Sequence, residues 1–118
     1  MKALCLAILL LPAGALAQEF DCRPPMAQVE INYCTGVEAA QVDRRLNRIW
    51  KRLKPQADAA GWGQRLLDEQ RAWLRRRDRT CERERESVGM GSGAQMFFHL
   101  CITKMTRARN AELRALLN

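Results

Sequence analysis

Four cysteines, one histidine and a run of arginines are the residues of this sequence whose chemistry could define a site. Cys22, Cys34, Cys81 and Cys101 are separated by 11, 46 and 19 residues, so no C-x-x-C pair exists. A zinc site wants four thiolate or imidazole ligands at close spacing, and His99 is the single histidine of the chain. No metal and no cofactor is expected. With Cys5 set aside in the N-terminal apolar stretch, four cysteines remain, and an even number in a short chain reads more simply as two disulfides. His99 lies on a helical stretch between Phe98 and Leu100, with no recognisable nucleophile–base pair around it. The carboxylates fall on solvated helix faces. Catalysis is therefore not expected.

The stretch QRAWLRRRDRTC, residues 70–81, puts five arginines around Trp73. A nucleic-acid surface would interleave aromatic rings with exposed cations. The periodicity separates them instead. Leu66, Leu67, Gln70, Trp73, Leu74, Arg77 and Cys81 share one helical face at i, i+3, i+4 and i+7 spacing. Arg65, Arg71, Arg75, Arg76 and Arg79 fall mostly elsewhere. Trp73 is thus expected inside and the cations outside, which argues against a nucleic-acid partner. Gln70, Trp73, Arg77, Asp78 and Arg109 read as structural, because a buried arginine needs a carboxylate, here Asp43 or Asp78.

The compartment points the same way. Residues 1–17, MKALCLAILLLPAGALA, combine one basic residue, a short apolar stretch and an Ala-Leu-Ala end. This is the pattern of a secretory signal peptide cut after Ala17. Cys5 lies within the apolar stretch rather than at the cleavage point, which disfavours a lipid anchor. No later segment is apolar enough to cross a membrane. The expected product is a single domain, residues 18–118, periplasmic or secreted. Loss of Lys2 lowers the formal charge from +7 to +6, an excess that favours anionic polymers or acidic proteins as partners.

Three elements must position these residues. Val42, Leu46, Ile49, Trp50 and Leu53 form one apolar stripe, so a first helix is expected over about 26–53, with Gly36 as a point of kinking and Pro55 as the stop. PQADAAGWG, residues 55–63, reads as a loop in which Trp62 either covers the core or anchors a partner. A second helix is expected over about 64–86. SVGMGSG, residues 87–93, is a glycine-rich loop; it lacks the lysine and the preceding strand of a phosphate loop. Ser92-Gly93-Ala94-Gln95 resembles a capping box opening a third helix over about 94–116, on which Phe98, Ile102, Met105, Arg109, Leu113 and Leu116 form a stripe. The expected fold is all-α, an antiparallel three-helix arrangement stapled by two disulfides.

Level along the bundle bears on the pairing. Cys34 and Cys101 each lie some way into their helices, whereas Cys22 precedes the first and Cys81 is near the end of the second. Height favours Cys34–Cys101 with Cys22–Cys81 over the local alternative, Cys22–Cys34 with Cys81–Cys101. Loops of some 60 residues closed in this way would add roughly 4 kcal/mol each.

The order of these features resembles the LprI-type lysozyme inhibitor N-terminal domain family of bacterial exported proteins. The matching residues are Cys22, Asn32-Tyr33-Cys34, Asp43-Arg44-Arg45-Leu46-Asn47, Trp50, Glu69 to Leu74, Arg77-Asp78, Cys81, Cys101, Thr106 to Arg109 and Glu112-Leu113. Gly36 stands where relatives usually carry helix formers. The resemblance implies a helical, disulfide-bonded envelope protein, with a protein partner for which a lysozyme is the candidate. Muramidases carry paired carboxylates in a cleft. A loop such as SVGMGSG could enter it, with Ser87, Ser92 and backbone N–H groups as donors. A basic lysozyme would approach a +6 protein against repulsion, unless Glu82, Glu84 and Glu86 form a local acidic patch. The alternative is a cationic envelope module that holds an anionic polymer or acidic protein through Arg71, Arg75 and Arg76, with Trp62 as an exposed anchor in either case.

Overall fold

A computed structural model describes residues 19–117; the expected signal peptide lies outside them. The described chain forms three helices and no strand: α1 (Gln28–Ala59), α2 (Gly63–Ser87) and α3 (Ala94–Ala115). Each reverses on the one before. The all-α, antiparallel three-helix expectation holds, with two disulfides.

α1 is capped by Ala27, whose N–H donates to the Glu30 carboxylate at 2.7 Å, satisfying one of the helix's orphan donors. It does not stop at Pro55, which lies inside it. A proline costs about 3 kcal/mol in a helix interior. Here continuing the helix buries Ala57 completely next to a fully buried Leu53, and adds a 2.6 Å Lys54–Asp58 ion pair one turn apart. The true stop is Gly61, at φ 81°. Its N–H donates to Asp58 O and that of Trp62 to Ala57 O, both at 3.0 Å. This is a Schellman closure, which needs the left-handed conformation that glycine takes freely. It also places Trp62 half-buried against the core, as a cover rather than an exposed anchor. α1 runs unbroken through Gly36.

The interior is two apolar clusters separated by a polar layer. One cluster holds Leu46, Ile49, Leu53, Ala57, Leu66, Trp73 and Leu113; the other holds Ala39, Cys81, Cys101 and Ile102. The stripes expected from periodicity are the ones buried.

The disulfide pairing departs from expectation. Cys22 bonds Cys34 and Cys81 bonds Cys101. Cys34 is six residues into α1, Cys81 six residues before the end of α2, and Cys101 seven residues into α3. At 1.5 Å per residue all three lie about 9–10 Å from the same end, so height does not separate them. Facing does. Cys81 and Cys101 are buried between α2 and α3, whereas Cys34 is only half-buried. The chain bends at Pro24-Pro25, returning Cys22 to Cys34 and Phe20 to the edge of Tyr33, ring centroids 5.2 Å apart.

Candidate functional site

The motif residues build a polar layer across the bundle. Arg77 is its hub. Its Nη1 donates to Asp43 on α1 at 2.9 Å and to the Thr106 hydroxyl on α3 at 3.3 Å, and its Nε donates to Asp78 at 2.9 Å. Both expected carboxylate partners are therefore used. Trp73 lies beneath two guanidinium groups, those of Arg77 at 5.2 Å and Arg109 at 5.8 Å from its centroid, within cation–π range. Arg109 is held by Gln70 at 2.9 Å and Glu112 at 2.8 Å. Asn110 donates to Val42 O at 3.0 Å. Gln70, Trp73, Arg77 and Cys81 are all buried, so their contacts tie the three helices to one another, while Asp43 and Asp78 keep one side open to solvent. Thr106 carries the family resemblance in the sequence, but its bond to Arg77, and the role of Asn110, were not legible there, because a threonine or asparagine on a helix carries no sign of which way it faces.

His99 belongs to the same framework. Its Nδ1 lies 3.1 Å from Asn32 O and 3.3 Å from the Thr35 hydroxyl, and its Nε2 lies 2.9 Å from the Gln95 amide. The ring occupies the space over Gly36, where an added Cβ would come within 2.9 Å of Cε1. Gly36 is thus a notch for His99 rather than a kink. Among the described residues no group of three or more histidine, cysteine or acidic side chains could hold a metal.

The end of the bundle bearing the α2–α3 loop, residues 88–93, is strongly exposed. Gly89 takes φ 77° and turns the chain so that Met90 stands fully exposed, at 104%. Beside it Arg85, Glu86, Ser92 and Gln95 line a hollow of about 460 Å³. The loop is pinned to α1, since the Asn32 amide donates to Ser92 O at 2.8 Å. The Ser87 hydroxyl donates back to Glu84 O at 2.7 Å, which leaves Ser92 as the hydroxyl free to meet a partner. Ser92 does not cap α3; Gly93 is the cap, without a side-chain bond.

Exposed apolar side chains gather at this end. Val29, Tyr33, Val88, Met90, Phe97 and Leu100 belong to it, and among the exposed large apolar residues Leu116 alone lies at the other. Charge is divided along the same axis. Residues 19–42 and 78–105, on the loop side of the polar layer, carry eight acidic and five basic side chains, a net of −3. Residues 43–77 and 106–117 carry five acidic and fourteen basic, a net of +9. Glu82, Glu84 and Glu86 are part of the acidic end. Arg71, Arg75 and Arg76 are exposed on α2 in the basic half.

A model of the family described as lysozyme inhibitor LprI matches residues 22–113, from the first disulfide cysteine to the buried Leu113. The chain is also 31% identical to a Rhizobium meliloti (strain 1021) protein called "Uncharacterized protein R02472", over 90% of this chain and 85% of that protein. No solved structure matches it.

Proposed function

The chain belongs to the lysozyme inhibitor LprI family, and on that premise we propose that it is an extracytoplasmic, non-catalytic protein that binds a lysozyme through the end of the bundle carrying residues 88–93. Two disulfides in a domain this small fit an oxidising compartment. The observation that carries the reading is the coincidence, at one end, of exposed apolar side chains with a net negative charge on a protein that is basic as a whole.

That coincidence removes the difficulty raised by the total charge. A basic lysozyme meets a −3 end rather than a +6 sphere, and at physiological salt charges more than about 8 Å away are largely screened. Met90 supplies an apolar tip for a sugar-binding cleft. The Ser92 hydroxyl and the N–H groups of the glycine-rich loop supply donors for the paired carboxylates of a muramidase. The Asn32–Ser92 bond and the His99 wedge fix the loop base beforehand, which lowers the ordering cost of binding.

The test is residual muramidase activity as the protein is added in rising molar ratio to basic lysozymes of several classes. Activity of at least one is expected to fall toward zero. Undiminished activity of all of them at large molar excess rejects the reading.

A further inference from the structure

The basic half carries a hollow away from the end proposed above to meet a lysozyme. Arg45, Arg48 and Arg52 stand on one stripe of α1 at i, i+3 and i+7, and with Arg114 of α3 they line a hollow of about 540 Å³ floored by Ile49 and Leu117. No carboxylate among the described residues lines it. Among the described residues none of the four arginines has an ion pair; the same holds for Arg71, Arg75 and Arg76, and what sets these four apart is that they converge on one hollow. Like charges one turn apart repel, so the arrangement is one that an anion stabilises.

We propose that this α1–α3 groove binds a phosphate group carrying two or more negative charges, as presented by a lipid headgroup or by a free phosphorylated ligand. Guanidinium forks match phosphate oxygens bidentately, and four forks from two helices supply more donors than a monoanion can use. The apolar floor suits the carbon skeleton next to the phosphate. The α2 arginines form a poorer seat. Arg71 opens onto a hollow that also holds the Asp43 carboxylate, and Arg75 and Arg76 line none of the hollows described above. The groove lies in the half of the molecule away from Met90. Asn32, which pins the loop, and Arg48 are sixteen residues apart on α1, about 24 Å. A lysozyme and a phosphate-bearing surface can therefore be held at once.

The experiment measures binding of the full chain to inorganic pyrophosphate by calorimetry, and to phosphatidylcholine vesicles with and without phosphatidic acid by sedimentation. The variants are R45Q/R48Q and, as a control of equal charge loss, R75Q/R76Q. Binding to at least one phosphate probe is expected, weakened at least about tenfold in R45Q/R48Q and within about twofold of the parent in R75Q/R76Q. Pyrophosphate binding alone assigns a soluble ligand; vesicle binding alone assigns a headgroup. Equal loss in both variants would reduce the effect to overall charge and overturn the proposal, as would no binding to either probe. Both variants are exposed-surface changes, and a circular dichroism melt confirms that each is folded. None of these outcomes depends on lysozyme inhibition.

Discussion

At the scale of single residues, Arg77 is the side chain on which the three helices agree. It spends three donors on Asp43, Asp78 and Thr106 while its plane covers Trp73. A lysine keeps the charge and loses the fork. Arg77→Lys is therefore expected to lower unfolding free energy by about 2 kcal/mol, discounted because both carboxylates are partly exposed; urea denaturation measures it. The burial of Arg77 was legible, since it shares the period of Leu66, Trp73 and Cys81, and so was its need for Asp43 or Asp78. Its hold on Thr106 was not, because periodicity gives a face and not the partner across it. Gly36 was read as a weakness in α1 and is a seat for His99. Gly36→Ala raises helix propensity by about 1 kcal/mol, yet it is expected to lower the melting temperature, because the imidazole must leave Asn32 and Thr35 to make room. A rise in melting temperature would show that the notch is dispensable.

At the scale of elements, the disulfides and the α1 terminus differ most from what the sequence suggested. Pairing by height failed because Cys34, Cys81 and Cys101 share one level, and the direction each faces around its helix depends on how the helices are rotated. The loops closed span 12 and 20 residues, so each bond is worth about 3 kcal/mol on the chain-entropy model. They are not equivalent, because Cys81–Cys101 joins two packed helices whereas Cys22–Cys34 ties down a segment outside them. Replacing Cys81 and Cys101 by alanine is expected to cost about 3 kcal/mol or more. The same change at Cys22 and Cys34 is expected to cost less and to raise hydrogen exchange mainly in residues 19–33. Equal losses would mean that the N-terminal segment is part of the cooperative core. Pro55 is a breaker by itself, and only the burial of Leu53 and Ala57 around it explains why α1 runs on to Ala59. Gly61→Ala places an alanine in the left-handed region and is expected to cost about 1 kcal/mol, read from the shift in the denaturation midpoint.

At the scale of the whole molecule, composition gave the charge but not its arrangement. A net of +6 looked unfavourable for a basic partner. Folding collects the carboxylates of α1's first turns and α2's last turns at one end and leaves fourteen cations at the other. Glu82, Glu84 and Glu86 were recognisable in the sequence as a local acidic patch. Their meeting with Val29, Tyr33, Phe97 and Leu100 was not, because it requires α1 and α3 to run parallel with the 88–93 loop beside the start of α1. If this end steers association, inhibition should weaken as salt is raised, and Glu84→Lys/Glu86→Lys should slow association by roughly tenfold at low salt while changing dissociation little. An unchanged association rate would detach the acidic end from recognition.

The most direct measurement sets Met90→Glu against R45Q/R48Q in the muramidase titration, using whichever lysozyme the parent protein inhibits. Placing a charge at the exposed loop tip should raise the concentration needed for half-inhibition by at least about tenfold, with the arginine variant indistinguishable from the parent. Inhibition that survives Met90→Glu and disappears in R45Q/R48Q would put the lysozyme at the opposite end of the bundle and contradict the assignment.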